Sequence, residues 1–217
     1  MTTETALPLE STMSTPARPL AWHTAWGLAL RPSLAAYDTL ISSPDVSSRR
    51  AYQWMVRSTA TAAIPYGMVI AFQQDPAMLC LSPLLGAAFG ALAALLGLAI
   101  YSAIVNSLAK ALGGGGEYKT LVFAMSAAQA PVQIAGLALG AVTQALPILA
   151  VPGLCAAFVL FLYQAGLTVF AVRAVHKLAW GRAVAAMAIP NGVFLGAWCL
   201  ILMALTLAVI AQSPATL

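Results

Sequence analysis

The sequence predicts an all-α integral membrane protein, with five transmembrane helices preceded by an interfacial amphipathic segment. Three observations carry that prediction. Hydrophobic residues fill 61% of the 217 positions and charged residues only 7%, with a mean hydropathy of +0.89, whereas a soluble domain carries about a quarter charged residues. The uncharged runs between the few ionisable residues are long enough to cross a bilayer, which takes about 20 apolar residues at about 1.5 Å rise each. The basic residues, finally, fall on one side of the topology that results.

The elements follow in order. Residues 1–20, "MTTETALPLESTMSTPARPL", contain acids and prolines but no apolar signal core, and are expected to form a disordered cytoplasmic tail. Residues 21–54 are apolar in patches interrupted by Arg31-Pro32, with Trp22, Trp26 and Leu30 at four-residue spacing. That pattern suits a broken amphipathic segment at the cytoplasmic interface, with its aromatics at headgroup depth; the alternative is a helix packed on the spans by the same residues. Residues 55–217 are expected to form the five-helix membrane domain. The uncharged runs there are 58–74, 76–109, 120–172 and 183–217. The third is too long for one crossing and must turn within "QALPILAVPG", Gln144 to Gly153. Spans are therefore expected at 55–73, 82–109, 120–143, 150–172 and 190–212.

Five crossings put the termini on opposite faces. Arg18, Arg31, Arg49, Arg50 and Arg57 precede the first span, Lys110 and Lys119 separate the second from the third, and Arg173, Lys177 and Arg182 separate the fourth from the fifth. These are all 10 Lys and Arg residues, and only Asp75 lies on the opposite face. The positive-inside rule then places the N-terminus in the cytoplasm and the C-terminus outside.

The turn between spans two and three, "KALGGGGEYKT", superficially resembles a phosphate-binding loop. Gly113 and Lys119-Thr120 fit the ends of G-x-x-x-x-G-K-[ST], but Tyr118 stands where the second glycine belongs, and a membrane helix where the strand belongs. The turn reads instead as a helix stop: Gly113, Gly114, Gly115 and Gly116 end the second span. Glu117 then sits at the positive N-terminus of the third, followed by Tyr118. Lys119, Arg173, Lys177 and Arg182 are expected at the lipid headgroups.

At this turn the chain resembles a known family. "LGGGGEYKTLVFAMSAAQAP" and "VFAVRAVHKLAWGRAVAAMAIP", residues 169–190, are similar to the glycine turn and the last interspan link of the Yip (Ypt-interacting protein) domain family. The resemblance extends over residues 20–213. It implies a polytopic protein, expected from its few reactive groups, its packing surfaces and this resemblance to be non-enzymatic; eukaryotic members reside in Golgi and endoplasmic-reticulum membranes and associate with prenylated Rab GTPases and with one another, and the bacterial branch has no assigned activity. The Asp-Leu-x-Gly-Pro signature of those members is not supplied by Asp38-Thr39-Leu40, so small-GTPase binding is not carried over. The short tail and the Ala- and Gly-rich composition look bacterial, which implies a bacterial-type member in the cytoplasmic membrane.

Reactive groups are few. No ionisable residue lies inside a span away from its ends, which argues against proton relays and charge-coupled transport. His23 and His176 have no second ligand at metal spacing, so no metal or other cofactor is expected. His176 is read as lying among headgroups beside Lys177, and Cys80, Cys155 and Cys199 as small buried thiols. No feature suggests nucleic-acid binding; the partners expected are the bilayer and a membrane protein or a second copy.

Gln129, Gln133, Gln144, Gln164 and Asn106 read either as interhelical hydrogen bonds or as the lining of a path. Close-packing surface is plentiful: Gly86 and Gly90, Gly136 and Gly140, and Gly192 and Gly196 form G-x-x-x-G pairs in spans two, three and five. Enlarging Gly90, Gly140 or Gly196 should therefore be harmful, whereas Gly114 and Gly115 should tolerate Ala unless their φ is positive. The function expected is that of a membrane scaffold or assembly factor working through helix contacts. An accessory subunit of a respiratory or photosynthetic complex, and a facilitator for a neutral solute or lipid, are the alternatives.

Overall fold

The computed structural model describes the backbone of residues 20–74 and 81–212, with the side chains of the last helix described up to Val193 and in part beyond. Residues 1–19 of the expected tail, together with Asp75 and Cys80, lie outside the described residues, as does the side chain of Cys199. Among the described residues seven α-helices follow one another: α1 (Trp22–Ala29), α2 (Leu34–Ile41), α3 (Ser48–Gln74), α4 (Leu81–Ala111), α5 (Tyr118–Ala145), α6 (Ala150–His176) and α7 (Trp180–Gln212). A 3₁₀ turn at Pro147–Leu149 joins α5 to α6, within the stretch expected to turn.

The five long helices coincide with the expected spans but overrun them. α3 starts at Ser48 and α7 at Trp180, because the apolar run marks only what hydrocarbon tolerates, and Arg, Gln and Ala continue a helix beyond it. Pro190, expected at the start of the last span, lies inside α7, as Pro65 lies inside α3 and Pro131 inside α5. Each removes one backbone donor, which neighbouring helices and polar side chains can offset at membrane depth. Among the described residues, α4, α5 and the segment Pro147–His176 are long and apolar enough to cross a membrane.

α3 falls short of that hydropathy and is nevertheless deeply packed. Ala51, Met55, Thr59, Ala63, Gly67 and Ala71 recur every fourth residue and are all buried, making a small-residue face on which α5 and α4 close. α4 comes close at Gly67, where a Cβ would stand 2.8 Å from the Pro83 Cα. α5 runs through the middle: every residue from Leu121 to Ala128 is buried, and α1, α2, α3, α4 and α6 all contact it.

α1 and α2 are docked on this core. Ala25, Ala29, Tyr37 and Leu40 are fully buried where the two helices meet α5 and α6. The Tyr37 hydroxyl donates to the Ala29 carbonyl at 2.8 Å, tying α2 to α1, and burial pushes the pKa of that phenol up. Trp22 stays 56% exposed and edge-on to Trp26. The segment 21–54 is thus packed against the bundle through its inward residues, and the first long helix already begins within it.

Candidate functional site

The glycine turn is built by three helix ends. At the end of α4, the Gly114 N–H donates to the Ala109 carbonyl and the Gly113 N–H to the Lys110 carbonyl, each at 2.9 Å. Gly113 has φ +93, the left-handed residue that this Schellman arrangement requires. The Gly116 N–H donates to His176 Nδ1, at the end of α6, at 3.2 Å. Arg182, near the start of α7, donates to the Leu112 carbonyl at 3.2 Å and so places a cation at the negative end of α4. Three of the four glycine amides are therefore consumed internally, which leaves no cradle of free N–H groups for a phosphate.

The turn is pressed against α6. A Cβ on Gly116 would lie 2.6 Å from the Val175 carbonyl oxygen, and one on Gly114 would lie 2.7 Å from the His176 Cβ and 2.8 Å from the Ala109 carbonyl oxygen. The expected tolerance of Gly114 to Ala is thus corrected, because close approach rather than φ restricts it. Gly115 has open space and keeps that tolerance. His176 is corrected too: it is 3% exposed and belongs to this junction, not to the headgroups. Since Nδ1 accepts, Nε2 carries the proton, and Nε2 is buried without a partner.

The other turn and headgroup residues divide. Glu117 occupies the N-cap position of α5 and pairs with Lys119 at 2.9 Å, both side chains more than half exposed, so the pair adds little. Tyr118 donates its hydroxyl to the Ala99 carbonyl of α4 at 3.1 Å. Arg173 lies 5.0 Å from the Trp180 ring centroid. Lys177 ends α6 in the left-handed conformation, φ 55, and reaches Asp38 of α2 at 2.6 Å.

The six packing glycines also divide. A Cβ on Gly90 would touch Thr59 at 3.3 Å, one on Gly140 Tyr66 at 3.3 Å and one on Gly136 Leu160 at 3.7 Å, whereas Gly86, Gly192 and Gly196 face open space. Gly196 is therefore not at a contact within the described bundle. Cys155, expected buried, is exposed on α6, on a surface where a membrane would take the place of protein. Among the described residues no three His, Cys, Asp or Glu side chains gather.

Midway along the long helices lies a cleft of about 770 Å³, lined mainly by apolar residues of α4, α5 and α6 with Pro190 and Asn191 of α7. Gln129, Gln133 and Gln164 line it together, while Asn106 and Gln144 do not. Asn191 Nδ2 donates to the Tyr101 hydroxyl at 2.7 Å and to the Met187 carbonyl at 2.8 Å, bridging α7 to α4.

A family model described as the Yip1 domain matches residues 14–203, from before α1 to well within α7. The chain belongs to the Yip1 domain family. No curated protein and no solved structure matches it.

This Yip1 domain is a membrane protein whose junctions rest partly on residues that no sequence motif marks. Gly67 lies in no G-x-x-x-G pair, yet a Cβ there would run into the backbone of α4 at Pro83. The signal was present in the four-residue recurrence of Thr59, Ala63, Gly67 and Ala71, since Ala and Thr serve a small-residue interface as well as Gly. Asn191 and Tyr101 carried no such signal, being ninety residues apart and paired only by the fold.

Proposed function

We propose that this Yip1 domain is a non-enzymatic five-span scaffold or assembly factor that receives a partner transmembrane helix on the glycine face of α7. The observation that carries this reading is the open space at Gly192 and Gly196, four residues apart. In a membrane, helices associate through close backbone approach, because lipid removes the hydrophobic drive. In this reading α3 to α7 each cross, with the N-terminus cytoplasmic and the C-terminus on the opposite side. The basic residues around the glycine turn support the orientation, with Lys119 and Arg173 at headgroup depth. Composition alone supports a bacterial cytoplasmic membrane.

The test is native purification of the full chain in mild detergent, with cross-linking before solubilisation. A membrane protein or second copy should cross-link and co-purify with the wild type and be lost from Gly192→Leu and Gly196→Leu. A fixed one-to-one partner that survives harsher detergent would mark an accessory subunit. Full retention by both Leu variants, or a chain that cross-links to nothing, would refute the proposal.

A further inference from the structure

The mid-depth cleft combines features that serve no purpose in a closed bundle. Its lining comes from the middle of α4, α5 and α6, which is the depth farthest from water. Its rim includes Ile100, Ile104 and Phe161, all strongly exposed, so it opens onto the surface that a bilayer would cover. Its volume of about 770 Å³ lies within the range of small-molecule sites, roughly 300 to 1,000 Å³. Among the described lining residues none carries a charge.

One polar group in it is unfinished. Gln133 Oε1 is buried with no hydrogen-bond partner, and in hydrocarbon there is no water to complete it. An amide oxygen is an acceptor only; what completes it must therefore bring an O–H or N–H donor. A charged headgroup would have no counter-ion in the cleft, and a bare alkane would leave the amide orphaned.

We propose that the cleft binds a neutral amphiphile from the lipid phase, its chain along the apolar wall and its hydroxyl or amide hydrogen donated to Gln133 Oε1. Gln129 of α5 and Gln164 of α6, which line the same cleft, then select for a headgroup with several hydroxyls. This site is separate from the α7 face proposed for a partner helix.

The experiment is native mass spectrometry of the full chain in detergent, titrated with monoolein, with the ionised fatty acid oleate, or with the alkene 1-octadecene. Wild type should retain monoolein about tenfold over the other two, and Gln133→Leu should bring monoolein down to the octadecene level. Ala157→Phe, which puts a ring into the cleft from α6, should lose all three. Circular dichroism and size exclusion report whether each variant is folded. Equal retention of the three probes by wild type, retention of none, or unchanged monoolein binding in either folded variant would overturn the proposal.

Discussion

The two ends of α6 belong to different environments. From Leu167 to Leu178 nearly every side chain is buried, whereas from Ala150 to Tyr163 only Gly153 is, and Leu154, Phe158 and Phe161 are more than half exposed. α5 divides the same way, buried from Leu121 through Ala128 and without a buried residue beyond Val132. The half nearest the glycine turn is a protein core, closed by α1, α2 and α3. The other half presents apolar side chains outward, which is stable only where lipid replaces neighbouring protein. Stability should therefore be concentrated at the turn end, with the far half left free for lipid, ligand and partner.

Paired substitutions across that divide sharpen the contrast. Phe123 is fully buried and lies 5.1 Å from the Trp54 ring; Phe123→Ala should cost about 3 to 5 kcal/mol. Phe158 is 60% exposed, and Phe158→Ala should change stability by less than about 0.5 kcal/mol. Denaturant titration in mixed micelles reads both, and equal losses would erase the divide.

Within the turn the contrast narrows to adjacent residues. Gly114→Ala drives a methyl into the Ala109 carbonyl and His176 and should lose about 1 to 3 kcal/mol. Gly115→Ala meets open space and should be neutral or gain up to about 1 kcal/mol from the stiffer unfolded chain. Thermal unfolding followed by circular dichroism separates them, and matching midpoints would show that the turn is not pressed on α6.

A smaller effect tests the docking of α1 and α2. Tyr37→Phe keeps the ring but removes the bond to the Ala29 carbonyl, and should cost about 1 kcal/mol. Limited proteolysis should then cut the 30–33 link faster than in wild type; unchanged cutting would mean that this bond does not hold the segment.

An effect of similar size is expected where α6 meets α2, at the Lys177–Asp38 pair. Lys177 is left-handed at an intrinsic cost of about 1 kcal/mol, and its exposed pair with Asp38 recovers less than about 1 kcal/mol. Lys177→Gly should therefore be more stable than Lys177→Ala by about 1 kcal/mol in the same denaturant titration. The reverse order would place the value of Lys177 in its charge.

Much of this division was legible in the sequence, but not all of it. Uncharged runs located the long helices and the turn at Pro147 because the bilayer imposes length and apolarity directly. The same apolarity could not tell lipid-facing from protein-facing surface: the most apolar window of α6 is only 6% buried, while the less apolar α3 buries one whole face. In a membrane the outward face is the greasy one, so burial had to be sought in small-residue periodicity. The G-x-x-x-G pairs found Gly90 and Gly140 at contacts, but Gly192 has the same spacing and faces open space. What restrains His176 and Gly116 is each other, across sixty residues of chain, and no local pattern encodes that meeting.

The most direct test compares Gly116→Ala, at the packed end, with Gly192→Leu, on the open face, by thermal unfolding of the isolated full chain in one detergent. Gly116→Ala sets a methyl against the Val175 carbonyl and should lower the midpoint by several degrees, corresponding to about 1 to 3 kcal/mol. Gly192→Leu, although the larger change, should leave the midpoint within a degree or so of wild type, since among the described residues nothing lies within 4 Å of a Cβ there. A midpoint that falls for Gly192→Leu and holds for Gly116→Ala would contradict the account.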